Sequence, residues 1–215
     1  MDIGILGTGS VGKTIGAKLV DLGHNVKMGS RTLDNPNALA WVRASGKLAS
    51  HGTFADAAKF GEILFNCTSG RGTLSALESV RTADLNNKVL IDVANSLDFS
   101  RGMPPTLTVC NTDSLAEQIQ REHKLLRVVK ALNTMNVDVM VNPKLIPGPH
   151  DVLICGNDAD AKAKVTMILV EWFGWKSVID LGDITAARGM EMVLPLWISL
   201  RSQLGTNLFN FHIAK

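Results

Sequence analysis

The sequence predicts an α/β protein of the Rossmann type: a doubly wound, mostly parallel sheet with a small C-terminal α/β portion. Three observations carry that prediction. Short apolar runs alternate with segments of helical period, the pattern of a parallel sheet covered by helices. The hexapeptide Gly7-Thr8-Gly9-Ser10-Val11-Gly12 is a G-x-G-x-x-G that follows the first apolar run and opens the first helical one, the setting in which that spacing has physical meaning. A length of 215 residues suits one Rossmann domain with an appendage and leaves little room for two full domains.

Taken in order, residues 2–6 read as the first strand. Residues 11–22 read as a helix with Val11, Ile15, Leu19 and Leu22 on one face, closed by Gly23. Residues 25–28 follow as a strand, 36–44 as a helix with proline in its first turn, and 62–66 and 88–93 as buried strands. Ser114 and Glu117 have capping-box spacing ahead of a helix that carries Leu115 and Ile119 inward, and residues 127–131 form the next strand. Pro143, Pro147 and Pro149 mark a seam. Beyond it come a strand at 151–155, a helix over 159–173, a strand at 177–180 and one final helix over 185–203. The expectation is a single domain over 1–215, with a dinucleotide-binding core over 1–142 and a portion over 150–215 that completes the fold and an acceptor cleft.

Charge and composition narrow the class. Lys and Arg number 22 against 20 Asp and Glu with no block of like charges, so a nucleic-acid partner is not expected. No apolar stretch approaches the ~20 residues of a membrane span, and the first residues lack the basic segment of a signal peptide. A cytoplasmic protein without a membrane partner is expected. Cys67, Cys110 and Cys155 are odd in number and widely spaced, and the histidines lack metal-ligand spacing. The cysteines read as reduced and structural, and no metal site is assigned.

In the glycine loop, Gly7 permits a tight turn, Gly9 lets the backbone approach a pyrophosphate and Gly12 lets helix and strand pack closely, while the helix N-terminus offers unpaired N–H donors. The end of the second strand then discriminates between nicotinamide cofactors. NAD sites place a carboxylate there for the ribose 2′-hydroxyl, but this chain reads Met28-Gly29-Ser30-Arg31-Thr32 with no carboxylate before Asp34. The Ser30 hydroxyl and the Arg31 guanidinium suit a 2′-phosphate through charge-assisted hydrogen bonds, so NADP(H) is the expected cofactor.

With these residues placed, the chain resembles the F420-dependent NADP reductase family, whose members pass hydride between NADPH and a deazaflavin, coenzyme F420. The resemblance rests on the glycine loop and Gly29-Ser30-Arg31, on Ser100-Arg101-Gly102, and on 128–134, reading Val-Val-Lys-Ala-Leu-Asn-Thr. It continues through Cys155-Gly156-Asn157-Asp158, Asp180-Leu181-Gly182, Ala187-Arg188 and Leu194-Pro195-Leu196-Trp197. It implies that Thr8, Gly9, Ser10 and Val11 wrap the phosphates and that Ser30 and Arg31 bind the 2′-phosphate. It further implies that Thr68, Ser69 and Gly70 pass the nicotinamide half, and that Met135 and Val137 lie near the ring. Asn133, Leu97 and Leu208 would flank a flavin-like or deazaflavin acceptor. The same fold recurs in the flavin-reducing domain of membrane metalloreductases. Two positions depart from the family pattern: Asn35 stands where members often carry a further Lys or Arg, and Asn133 where some carry His.

Hydride transfer between two stacked rings needs positioning more than a side-chain acid, and no catalytic residue is assigned. Lys130 reads as a strand-end lysine at the sheet's rim, reaching solvent or a phosphate. Two other readings keep the fold: an NADPH-dependent imine or carbonyl reductase of the pyrroline-carboxylate type, and an NADPH-binding sensor without turnover. The expected partner is a small-molecule hydride acceptor. Apolar residues over 194–200 and 208–211 also suggest a surface that a second subunit covers in a homodimer.

Overall fold

A computed structural model describes residues 1–214. From the N-terminus the elements are β1 (Asp2–Leu6), α1 (Ser10–Asp21), β2 (Asn25–Ser30), α2 (Pro36–Ser45), β3 (Ala49–Thr53), α3 (Phe54–Phe60), β4 (Ile63–Asn66), α4 (Gly70–Glu78), the short α5 (Thr82–Leu85) and β5 (Val89–Asp92). A two-stranded ribbon, β6 (Leu97–Asp98) and β7 (Thr106–Leu107), precedes α6 (Leu115–Glu122), β8 (Arg127–Ala131) and α7 (Val137–Val141). The chain then forms β9 (Val152–Gly156), α8 (Ala159–Met167), β10 (Val178–Asp180), α9 (Ala187–Met192) and α10 (Leu194–Leu204).

Eight strands make the main sheet in the order β10-β9-β8-β5-β4-β1-β2-β3. All pairings are parallel except β8 with β9, where Ala131 faces Ile154 and Val129 faces Gly156. That reversal sets the start of β9 on the same edge of the sheet as the ends of β1, β4, β5 and β8. There the C-terminal tail is tied down: the Asp151 N–H donates to the Phe211 carbonyl at 3.0 Å and the Ile213 N–H to the Asp151 carboxylate at 2.6 Å.

Both faces of the sheet are covered, so side chains alternate between two cores. Ile3, Ile5, Ile63, Phe65, Val89 and Ile91 point to the layer of α1, α2, α7 and α8, whereas Leu6, Leu64, Leu90 and Val128 point to that of α3 to α6 and α9. The expected strands are all present, within two residues of their expected ends. Sequence reasoning omits β3, α3, α4, α5, α7 and the ribbon. The single final helix expected over 185–203 is three pieces: a 3₁₀ turn at Ile184–Ala186, α9 and α10. Pro195 lies in the first turn of α10, where its ring and missing N–H prevent one continuous helix. The helix expected over 159–173 begins as α8 and ends in a widened π turn, Ile168–Trp172. No described helix is long and apolar enough to cross a membrane.

Candidate active site at the sheet's switch point

β1 and β4 are neighbours, and the chain leaves them in opposite directions, toward β2 and β3 on one side and toward β5 on the other. A crevice opens at such a reversal, outside the carboxyl ends of the strands. Gly7 turns the chain there at φ +120, and a Cβ on it would lie 2.5 Å from the Cys67 carbonyl oxygen. Its N–H donates to the Gly29 carbonyl at 3.0 Å. Gly12 and Gly70 are positions of close backbone approach, where a Cβ would fall 2.3 Å from the Gly7 oxygen and 2.1 Å from the Asn95 oxygen.

Gly9 differs from these. Its φ is an ordinary −76, and a Cβ there would meet nothing within 4 Å. The fold itself makes no use of that space, which is what a loop built to admit a phosphate requires. No side chain caps α1 at Gly9 or α4 at Ser69, whereas Asn35, Thr53, Ser114, Asn136 and Asp158 cap α2, α3, α6, α7 and α8. The uncapped N–H groups of α1 open on the crevice and suit an anion.

Two grooves share this crevice. The first, about 520 Å³, is lined by Gly7, Thr8, Gly9, Ser30 and Arg31 on one side and by Thr68, Ser69 and Arg71 on the other. Ser30 is buried and donates its hydroxyl to the Thr32 carbonyl, while Arg31 is exposed. Among the described residues no carboxylate lies within salt-bridge distance of Arg31. Its guanidinium is therefore available to a phosphate. The second groove, about 500 Å³, adjoins the first through Thr68, Ser69 and Arg71, and its walls include Val11, Gly70, Val93, Ala94, Leu97 and Phe99. Ser10 opens α1 and is exposed.

The remaining expected site residues fall elsewhere. Met135 is buried in the core and Val137 is packed against it, and neither lines a groove. Asn133 is 1% exposed, its amide donating to Asn95 Oδ1 at 2.9 Å and to the Met190 carbonyl at 2.8 Å, so it supports the Asn95 wall from behind. Leu208 sits exposed on the C-terminal tail and lines neither groove. The rim position expected for Lys130 is wrong. Its side chain is 0% exposed, because β9 and β10 extend the sheet beyond β8 and helices cover both faces.

Arg71 escapes sequence reasoning although it lines both grooves. It pairs with Asp98 of the ribbon, whose carboxyl is held below its usual range by hydrogen bonds from Ser100 and then by Arg71. The signal was available: Arg71 stands in the first turn of a helix that begins where β4 ends. Burial pushes the Cys67 thiol far up, and that of Cys155 up to about 12, as expected of structural cysteines. Among the described residues no cluster of His, Cys, Asp or Glu is arranged to hold a metal. A separate cavity of about 390 Å³ beside His150 and Trp175 contains none of the expected site residues.

Residues 2–96 match the family described as "NADP oxidoreductase coenzyme F420-dependent". The F420-dependent NADP reductase of Methanocaldococcus jannaschii is 30% identical over 210 residues, spanning 93% of this chain and 92% of that protein. The metalloreductase STEAP3 of Rattus norvegicus is 30% identical over 91% of this chain but only 37% of its own length. Among solved structures, a protein of Arthrobacter sp. FB24, described provisionally as an F420-dependent NADP reductase, superposes with a TM-score of 0.94 at 48% identity, covering 99% of both chains. A reductive aminase of Aspergillus terreus shares the fold at a TM-score of 0.67 and 15% identity. The chain belongs to the F420-dependent NADP reductase family, a family of NADP-dependent oxidoreductases.

Proposed function

We propose that this oxidoreductase passes hydride between NADPH and a flavin-like ring, with a deazaflavin such as coenzyme F420 as the acceptor class. One observation carries this reading: the second groove has apolar walls in Val11, Val93, Ala94, Leu97 and Phe99, and beside the neutral Thr68, Ser69, Asn95 and Ser100 the only charged side chain lining it among the described residues is Arg71. An arginine keeps its proton in water, and burial holds the Cys67 thiol protonated. An imine or carbonyl acceptor needs a proton donor beside the reacting atom, and among the described residues this lining holds no His, Tyr, Lys, Asp or Glu to act as a general acid. A planar ring that takes hydride needs flat apolar walls, which Val11, Leu97 and Phe99 offer.

In this reading the glycine loop and the first turn of α1 hold the pyrophosphate, and Ser30 and Arg31 hold the 2′-phosphate. Thr68, Ser69 and Gly70 border the nicotinamide half. Bound NADPH supplies the hydride, while the protein orients the two rings and excludes water between them. The test is NADPH oxidation against coenzyme F420, FMN, FAD, quinones and cyclic imines. Turnover with a deazaflavin or flavin and none with imines is expected. Turnover with imines alone overturns the reading, and NADPH binding without any turnover favours a sensor.

A further inference from the structure

Behind the junction of the two grooves runs a buried chain of polar groups that the hydride reading does not use. Lys130 Nζ donates to Asp92 Oδ2 at 2.8 Å, to Glu191 Oε1 at 2.8 Å and to the Ala94 carbonyl. Burial alone would lower the Lys130 pKa, but the Asp92 and Glu191 carboxylates outweigh it and hold the ammonium above its ordinary value. Glu191 also accepts the N–H groups of Leu115 at 3.0 Å and Ala116 at 3.2 Å, so the second negative charge rests on the N-terminus of α6.

A carboxylate can only accept hydrogen bonds. Asp92 Oδ1 lies 2.7 Å from Asn66 Nδ2, which fixes the Asn66 amide: its NH₂ must face Asp92, since the opposite flip would press an amide oxygen against a carboxylate. Asn66 Oδ1 then faces Thr68, accepting from its hydroxyl at 2.7 Å and from its N–H at 3.3 Å. Thr68 Oγ1 is also 2.8 Å from Thr73 Oγ1, which is itself 3.2 Å from the Ser69 carbonyl. Thr68 has one hydroxyl proton. Whether Asn66 or Thr73 takes it, that proton is committed inward, and only lone pairs are left for the groove.

We propose that Thr68 is a fixed hydrogen-bond acceptor for the carboxamide N–H of the nicotinamide, with Lys130, Asp92 and Asn66 as the positioning residues that set its polarity. The inference rests on the NADP reading of the grooves. It makes the site discriminate by donor chemistry: a ring substituent that lacks an N–H leaves Thr68 unpaired, and one that only accepts meets its lone pairs.

The experiment compares dissociation constants for NADP⁺ and for 3-acetylpyridine adenine dinucleotide phosphate, whose methyl ketone has no N–H. Wild type should bind the analogue about three- to tenfold more weakly, the range for one neutral hydrogen bond. Thr68→Val should bring that ratio near one by weakening NADP⁺ alone, and Thr68→Ser should restore it. Asp92→Asn offers Asn66 an N–H to accept and lets its amide turn over, and Thr73→Val removes the other inward acceptor of the Thr68 proton, so the two changes together should bring the ratio near one with Thr68 intact. Damage to the fold alone would weaken both ligands alike, and an unchanged ratio in the Asp92→Asn, Thr73→Val double variant overturns the positioning role. Neutron diffraction of the wild-type protein reads the Thr68 deuteron without any variant. A deuteron directed at Asn66 or Thr73 supports the proposal, and one directed into the groove overturns it. If wild type binds both dinucleotides equally while Arg31→Ala still weakens NADP⁺, the polarity inference fails and the cofactor reading stands; if NADP⁺ does not bind at all, the cofactor reading itself fails.

Discussion

Arg31 stands exposed on the wall of the first groove with no carboxylate beside it among the described residues, so its charge is available to a 2′-phosphate. Arg31→Ala should weaken NADPH by about 1.5 to 3 kcal/mol, roughly 10- to 150-fold, and leave NADH almost unchanged; titration with both dinucleotides checks this. Gly9→Val should abolish NADPH binding without lowering the unfolding midpoint in denaturant, because a Cβ there meets no protein atom within 4 Å at a residue that lines the groove. These residues are legible in the sequence because a turn, an N-terminus and a strand end are encoded within about thirty residues of one another. Lys130 is not. Its burial depends on β9, Glu191 and α6, which reach it only in three dimensions, and an alternating strand pattern does not distinguish an inner strand from a rim. Asn133 is misread for a related reason: nearness to the site along the chain does not say which way a side chain turns.

At the scale of elements, β8 is held by an ion triple as well as by its ladder. Lys130→Met would leave the Asp92 and Glu191 carboxylates buried without their cation, and should cost about 3 to 5 kcal/mol in chemical denaturation. Because the folded pKa of Lys130 is raised, its contribution is complete below the unfolded value of about 10.4 and fades only as pH rises through the still higher folded value. Stability measured across neutral and mildly alkaline pH should therefore show no loss attributable to this group. A decline near pH 8 to 9 that disappears in Lys130→Met would contradict the charged assignment. The omitted elements have separate causes. β3 reads Ala-Ser-His-Gly-Thr, too polar for a buried strand, because it lies at the sheet's edge, and α4 begins Gly-Arg-Gly, poor helix formers kept for close backbone approach. The start of α3 had a readable signature in the Thr53 and Asp56 capping box.

For the whole molecule, a ligand that spans the switch point joins the two halves of the sheet. NADPH at about 100 times its dissociation constant should stabilise the native state by about 2.7 kcal/mol, a rise of roughly 5 to 11 °C in Tm for a chain of this size. Thermal unfolding should show a smaller rise with the same concentration of NADH and the loss of the difference in Arg31→Ala. The alternation of strands and helices makes the architecture legible from composition and period alone. The reversed β9 is not, since nothing in an apolar run of five residues records its direction.

That reversal has a practical consequence for anyone attaching a reporter or a surface linkage. The first strand starts on the edge opposite the grooves, whereas the tail anchored at Asp151 comes out along the edge on which they open. A bulky group joined ahead of Met1 thus leaves the cofactor's path clear, while one joined behind the tail shares that edge with every ligand that enters.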